Sequence, residues 1–240
     1  MIYNPQSYIS FHFSYSIQNL NQTTMETKLK PSREQFYKYI NDVLSEDEAH
    51  DFYNTYDLEN QVYEENGKHG LVNCLDELLL LPLFDNFMLL SSKPLVPGNK
   101  VVAQQNGLWG IVKLDGELGE WMIEPIYEYM SYPNTIAACY KAKKWGVLNT
   151  TTNEFIIPMI CDHISLENGF IFCNGIGTFE INGKWGVIRE DGEHTEAIFD
   201  EVETDFDQAV KVRIGETWGY INEDGKFTED GDEACYWCGV

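Results

Sequence analysis

The sequence predicts a mainly β protein of tandem β-hairpin repeats, preceded by a short two-helix segment. Three observations support this prediction: a Gly-bearing pair recurs, Asn-Gly and Asp-Gly turn signals follow the same order, and apolar spacing changes from helical to strand-like near residue 61. The recurring pairs are His69-Gly70, Trp109-Gly110, Trp145-Gly146, Trp185-Gly186 and Trp218-Gly219. Their glycines are 40, 36, 40 and 33 residues apart, which is typical of repeat architectures.

The helical pattern covers residues 32–57, within an N-terminal segment that we delimit at residues 25–60. Ser32 with Gln35, and Ser45 with Glu48, have the spacing of capping boxes, which mark the starts of helices. Apolar side chains follow each start at helical spacing. We therefore predict two short helices joined by a tight corner.

Each repeat begins with a predicted hairpin. The turns are Asn66-Gly67, Asn106-Gly107 and Asn182-Gly183, with Lys143-Lys144 and Ile214-Gly215-Glu216 as less favourable equivalents. A second turn follows, at Asp115-Gly116, Asp191-Gly192 and Asp224-Gly225. A predicted third strand then leads to a proline in three repeats, and four repeats end with an aromatic residue or cysteine followed by an acid, which we call the closing acid. The closing pairs are Phe84-Asp85, Tyr127-Glu128, Cys161-Asp162 and Phe199-Asp200.

Residues 61–228 therefore hold about four and a half units, which form either an open twisted array or a closed propeller. We favour the open array, because the first and last units depart from the consensus, as terminal repeats tend to do.

The Trp-Gly pair has a structural interpretation. Neighbouring side chains of a strand point to opposite faces, so Trp fills one face while Gly leaves the other open to close approach, where repeats can stack. We predict the following structural anchors: Gly70, Trp109, Gly110, Trp145, Gly146, Trp185, Gly186, Trp218 and Gly219.

These residues together resemble the WG-repeat family of mainly bacterial proteins. The signature is Gly-Lys-Trp-Gly-Val-Ile at 183–188, followed by the Asp191-Gly192 turn and the close at 199–202. The resemblance covers residues 61–228 and implies an all-β repeat array. For most members of the family it implies no assigned activity, so there are no catalytic residues to transfer.

Charge narrows the classes of partner. The 240 residues include 16 Lys or Arg and 39 Asp or Glu, for a formal net charge of −23. Such a charge repels phosphate backbones and anionic lipids, which argues against nucleic acid and membrane surfaces, and it attracts basic proteins. The acidic excess is greatest beyond residue 190, where we predict a candidate acidic docking face. It consists of Asp200, Glu201, Glu203, Asp205 and Asp207.

The termini and cysteines suggest a cytoplasmic protein. Residues 1–24 have neither the basic start nor the apolar stretch of a signal peptide. We interpret them as a flexible tail or as an upstream extension, with Met25 the true start. Six cysteines without regular spacing fit reduced thiols. Cys235 and Cys238 lie in an acidic C-terminal tail, residues 229–240, where we favour a structural or fortuitous pair over a metal or redox site.

We find no catalytic constellation, metal site or cofactor motif in the sequence. Cys161 and His163 are the one Cys-His pair at close spacing, and we interpret them as strand residues. We therefore predict a monomeric, non-enzymatic module that binds a basic protein. A more speculative version is an antidote-type protein that neutralises a basic toxin. The alternative is recognition of a carbohydrate or cell-wall polymer by exposed tryptophan rings, which requires Trp109, Trp145 and Trp185 to be exposed in a row.

Overall fold

The computed structural model describes residues 29–41, 43–56, 58–89, 94–132, 135–166, 175–203, 210–222 and 225–229. The chain forms two compact units, residues 1–57 and 58–240. The predictions about residues 1–24 and about Cys235 and Cys238 lie outside the described residues. No helix in the described part of the chain is long and apolar enough to cross a membrane.

The first unit contains the two predicted helices, α1 (Arg33–Ile40) and α2 (Glu46–Thr55). Both begin with complete capping boxes: the hydroxyls of Ser32 and Ser45 accept backbone N–H groups, and the side chains of Gln35 and Glu48 accept in return. Each box satisfies N–H groups that have no partner within the helix. The buried Phe52 ring of α2 stacks on a tyrosine of α1 at 4.8 Å between centroids. The prediction of two capped helices is confirmed.

The second unit is β structure throughout its described part, as predicted. The first and second repeats supply β1 (Gln61–Glu65), β2 (Lys68–Val72), β3 (Leu78–Phe84), β4 (Asn86–Met88), β5 (Lys100–Gln105), β6 (Leu108–Lys113), β7 (Glu120–Tyr127) and β8 (Tyr129–Met130). The third and fourth supply β9 (Ile136–Lys141), β10 (Lys144–Asn149), β11 (Glu154–Cys161), β12 (His163–Ile164), β13 (Ile176–Ile181), β14 (Lys184–Arg189) and β15 (Glu201–Glu203). The last comprises β16 (Lys211–Ile214), β17 (Thr217–Ile221) and β18 (Phe227–Thr228).

These strands form five antiparallel sheets. Their strand orders are β1-β2-β3, β4-β5-β6-β7, β8-β9-β10-β11, β12-β13-β14 and β15-β16-β17-β18. The short strands β4, β8, β12 and β15 come directly after the closing acids and pair with the hairpin of the following repeat. Each repeat therefore contributes a strand to the next sheet. A tandem β-meander array is confirmed, and the described strands form no closed barrel; the choice between an open array and a propeller stays a prediction.

The hairpin turns have the backbone that the sequence predicts, with one change of position. Asn106 and Gly107, for example, both have positive φ, at 54° and 78°, as a type I′ turn requires. In the third repeat the turn is Ala142-Lys143, with φ of 52° and 64°, so the predicted Lys143-Lys144 is wrong by one residue. Lys144 pairs with Lys141 and opens β10, because the hairpin twist imposes left-handed backbone even on residues that disfavour it.

Four clusters of buried apolar side chains form the core of the β unit, and each joins successive repeats. In β9, Ala137 and Cys139 pack with Ile111 of the preceding repeat, whereas Ile136 and Ala138 belong to the cluster shared with the following repeat. The central strands are therefore buried on both faces, which explains their continuous apolar runs. Stability is distributed over the junctions between repeats, as in other repeat proteins.

Candidate functional site

The recurring tryptophans of the three inner repeats face the repeat that follows them. Trp109 is 5% exposed and lies in the cluster that includes Ala137 and Cys139 of the third repeat. Trp145 and Trp185 are partly buried against the next two junctions. Burial of a tryptophan ring contributes several kcal/mol. These three rings therefore hold neighbouring repeats together.

The terminal repeats use this position differently. His69, which replaces tryptophan in the first repeat, has its Nδ1 atom 2.7 Å from the backbone oxygen of Asp85. In the last repeat the ammonium group of Lys211 lies over the Trp218 ring, 4.3 Å from its centroid. Both ends thus replace packing between repeats with polar contacts within one repeat.

The glycine of each pair leaves room for atoms of its own repeat. A Cβ atom on Gly110 would lie 2.3 Å from the carbonyl oxygen of Ile123, and one on Gly186 would lie 2.3 Å from the Phe179 ring. The nearest atoms at Gly70, Gly146 and Gly219 also belong to the same repeat. This differs from the expectation that repeats stack on the glycine: the close approach is the repeat folding onto itself.

The prolines of the third strands lie opposite these glycines, in β-bulges. Trp109 pairs with Tyr127 and Ile111 pairs with Ile123, so Gly110 alone faces the three residues between them, with Pro125 in the middle. Bulges at the same place in the first and third repeats contain Pro82 and Pro158. A bulge tolerates proline because the missing N–H is not needed by the ladder.

The closing acids connect each repeat to the next. The Asp162 carboxylate accepts from the Lys144 ammonium at 2.5 Å and from the backbone N–H of Asn182, in the next hairpin turn, at 2.7 Å. Asp200 is held in the same way, by Lys184 at 2.6 Å and by the Gly215 N–H at 2.7 Å. We call this three-part contact the acid staple.

The first repeat has the same staple and the second has half of it. Asp85 pairs with Lys68 and accepts from the Gly107 N–H. Glu128 accepts from the Ala142 N–H at 2.9 Å, but Leu108 stands where the first, third and fourth repeats have lysine. The lysine hydrogen bond, followed by the N–H bond of the next turn, holds the pKa of Asp162 and Asp200 below the usual range of a carboxyl group.

Three members of the predicted acidic docking face have internal partners. Asp200 belongs to an acid staple, Glu201 pairs with Arg213 at 3.0 Å, and Glu203 pairs with Lys211 at 3.0 Å. The two remaining members, Asp205 and Asp207, lie outside the described residues. The described members are therefore partly neutralised within the chain.

Sequence reasoning missed an exposed position that recurs in four repeats, on β3, β7 and β11 and in the segment between β14 and β15. Two residues before each closing acid stands an aliphatic side chain: Leu83, Ile126, Ile160 and Ile198, which are 42, 42, 48 and 43% exposed. The residue between it and the acid is buried in every case: Phe84, Tyr127, Cys161 and Phe199. We call the four exposed side chains the aliphatic row. Its signal in the sequence is a Leu or Ile at a constant distance from the acid.

Carboxylates lie beside two members of the row. Glu124 and Glu196 precede Ile126 and Ile198 by two residues, and all four side chains are exposed. Both glutamates are exposed, and no ion pair among the described residues engages them. This part of the surface combines aliphatic side chains with uncompensated negative charge.

The thiols and histidines of the described residues form no candidate metal centre. No group of three His, Cys, Asp or Glu side chains there could hold a metal ion. Burial raises the pKa of the Cys139 thiol to about 12 and that of Cys161 to about 11, so both remain protonated near neutral pH. His163 lies edge-on to the Trp185 ring, at 5.8 Å between centroids. Cys161 and His163 are thus strand residues with packing contacts.

No protein-family model matches the chain, and no curated protein matches it. Among solved structures, one described as a crystal structure of the eukaryotic initiation factor is similar, with 11% identity and a TM-score of 0.40. The match covers 67% of this chain and 47% of that chain, so this chain spans about half its length. A likeness of this strength supports no statement about function.

Proposed function

We propose that the chain is a non-enzymatic binding module whose β repeats hold a basic protein. The observation that carries this proposal is the distribution of charge. Seven basic side chains of the β unit are already paired with carboxylates: Lys68, Lys113, Lys144, Lys184, Arg189, Lys211 and Arg213. With a net charge of −23, the remaining acidic side chains greatly outnumber the remaining cations.

This charge distribution favours one class of partner. Carboxylates such as Glu124 and Glu196 are exposed, and no described ion pair offsets their charge. A surface of this kind raises the rate of encounter with basic proteins and repels nucleic acid. Repeat arrays also offer a contiguous face to which each unit contributes a few side chains. We accordingly propose a protein partner with a basic surface. We also propose a cytoplasmic location, which the free thiols of Cys139 and Cys161 favour.

Capture of partners from a cell lysate tests this function. Proteins retained by the full chain at low ionic strength should have basic isoelectric points and should be released as salt is raised, because screening weakens contacts between exposed charges. The double variant Glu124→Gln with Glu196→Gln should retain less. Retention of acidic proteins, or retention indifferent to salt, would contradict the proposal.

A matched control separates net charge from the charge of the repeats. Glu34→Gln with Asp51→Asn removes the same number of charges from exposed positions in the helical unit. This control variant should retain partners as the unmodified chain does. Equal losses in both variants would mean that overall charge, and not the repeat surface, determines capture.

Charge also supports the narrower antidote role, which remains a proposal. In that role the chain would protect a cell in which a basic toxin is co-expressed, and the Glu124→Gln, Glu196→Gln variant would protect less. Carbohydrate binding is not favoured, because Trp109 is buried and Trp145 and Trp185 pack into the junctions between repeats.

We also propose that the chain is a bacterial WG-repeat protein. The support is structural consistency: each Trp-Gly pair lies at the start of the second strand of a hairpin, at the same register in every repeat. Trp109 pairs with Gln104, Trp145 with Tyr140 and Trp185 with Glu180.

A further inference from the structure

We propose that the aliphatic row, Leu83, Ile126, Ile160 and Ile198, is the surface that recognises the partner. The occupant is a basic protein segment in which aliphatic side chains are interspersed with lysine or arginine. This inference rests on the proposed function and deepens it, because it adds an apolar requirement to a surface otherwise defined by charge.

The first argument is repetition of exposure. A single exposed leucine is normal on a protein surface, but here the same position is exposed by 42 to 48% in four repeats. The residue directly after each member of the row is almost completely buried, so each of these segments has a well-defined inner side. The row is therefore not needed to fill the core. Single scattered apolar residues need no explanation on a surface, but recurrence at one position of four repeats sets these side chains apart, because each unit of a repeat array contributes a few side chains to its binding face.

The second argument is the position of the row in the sheets. β3, β7 and β11, which carry three of its members, are the edge strands of their sheets. In each of them a proline lies in the bulge, so it has no N–H to offer to an incoming strand. Strand addition is thus disfavoured at this place, and recognition must use side chains. The exposed aliphatic groups are the side chains presented there.

The third argument is charge complementarity. Glu124 and Glu196 lie two residues before Ile126 and Ile198, at exposed positions, and have no described ion pair. A segment that buried the row with only apolar groups would leave these carboxylates desolvated and unpaired, which is costly. A segment with both aliphatic and cationic side chains can cover the aliphatic row and pair with the carboxylates at the same time. A second copy of this acidic chain does not, because it would bring further carboxylates to the same place.

Two synthetic peptides of equal charge test the proposal on the full chain. One is rich in lysine with leucine at every third position, and the other has serine in place of each leucine. We expect the leucine peptide to bind about tenfold more tightly by titration calorimetry. We expect the variant Leu83→Ser, Ile126→Ser, Ile160→Ser, Ile198→Ser to bind both peptides equally, at the affinity of the serine peptide.

A control variant, Val62→Ser with Leu118→Ser, removes exposed apolar side chains outside the row and should keep the tenfold preference. Thermal unfolding should change little in either variant, because all the substituted side chains are exposed. Equal binding of both peptides by the unmodified chain would overturn the role of the row and leave the proposed function standing. Absence of binding to either peptide would contradict both. A dimer that the row variant converts to monomer would identify a second copy as the occupant and also overturn the proposal.

Discussion

The second and third repeats have corresponding strands, a Trp-Gly pair at the same position and a β-bulge opposite its glycine, yet they differ at two points. The space beside Gly110 is filled by backbone atoms of Ile123 and Pro125, whereas the nearest atom beside Gly146 is the thioether sulfur of Met159. The third repeat has a complete acid staple, whereas the second has Glu128 without a lysine.

This difference shows that one repeat motif is supported by interchangeable contacts. The Trp-Gly pair requires space on one face and packing on the other, and either backbone or side chain can occupy the space. Backbone is fixed by its own hydrogen bonds, whereas methionine has several flexible torsions. The second repeat should therefore tolerate less change in its core, and the third should depend more on charge.

The largest expected difference concerns the tryptophans. Trp109→Ala should lower the free energy of unfolding by about 3–5 kcal/mol, because it removes an almost fully buried ring. Trp145→Ala should cost less, since Trp145 is only partly buried and has Tyr129 and Tyr140 as ring neighbours that can move into the gap. Urea unfolding of the full chain measures both. A larger loss for Trp145→Ala would mean that the third junction is the stronger one.

The glycines should rank in the same order. Gly110→Ala should cost about 2–3 kcal/mol, because its Cβ atom would lie 2.3 Å from a carbonyl oxygen and 2.8 Å from the Pro125 nitrogen. Gly146→Ala should cost about 1 kcal/mol, because the contact at 2.7 Å is with the Met159 sulfur. Neither glycine has positive φ, so space alone is tested. Unfolding in urea gives both values.

The control for the glycine comparison is Met159→Ala. In that background Gly146→Ala should cost clearly less than it does alone, because the atom that it displaces is gone. The second repeat has no side chain whose removal would rescue Gly110→Ala. If Gly146→Ala, made in the Met159→Ala background, were still as costly as Gly110→Ala alone, the flexibility of the Met159 side chain would not explain why the two glycines differ.

Much of this architecture could be predicted from the sequence, because hairpin turns and capping boxes are local. Ser32 and Asn106 mark structure through the residues within three positions of them. The acid staple and the aliphatic row could not be predicted in the same way. The staple joins Lys144 to Asp162 and to Asn182, residues of two repeats whose proximity depends on how the third strand bends. The exposure of Ile160 likewise depends on the bulge that precedes Cys161.

The acid staples should make a smaller and pH-dependent contribution. Asp162→Asn should lower the thermal midpoint slightly near neutral pH, because the charged hydrogen bond to Lys144 is lost. The pKa of Asp162 is below the ordinary value of 3.8, so its stabilisation is present above that pH and disappears as pH falls through the lowered pKa. The difference between the variant and the unmodified chain should therefore vanish in acid. Thermal unfolding at neutral and acidic pH measures it.

Glu128→Gln provides the comparison for that experiment, since an amide oxygen can still accept from the Ala142 N–H and no lysine is lost. It should change the thermal midpoint less than Asp162→Asn does, with little dependence on salt. A pH-independent loss in Asp162→Asn would show that the carboxylate acts through its geometry and not through its charge.

The smallest expected effect is a gain in the second repeat. Leu108→Lys places a lysine at the position that Lys68, Lys144 and Lys184 occupy in three other repeats. Each of those lysines pairs with the closing acid of its repeat, so the new lysine should reach the Glu128 carboxylate if the second repeat has the same backbone geometry. An exposed pair of this kind contributes about 0.2–1 kcal/mol, and salt weakens it. Combining Leu108→Lys with Glu128→Gln in a double-mutant cycle isolates this coupling from the loss of the leucine side chain. A coupling of zero at low salt would mean that the staple of the second repeat differs from the others in geometry as well as in composition. The longer side chain of Glu128 would then place its carboxylate away from the introduced lysine.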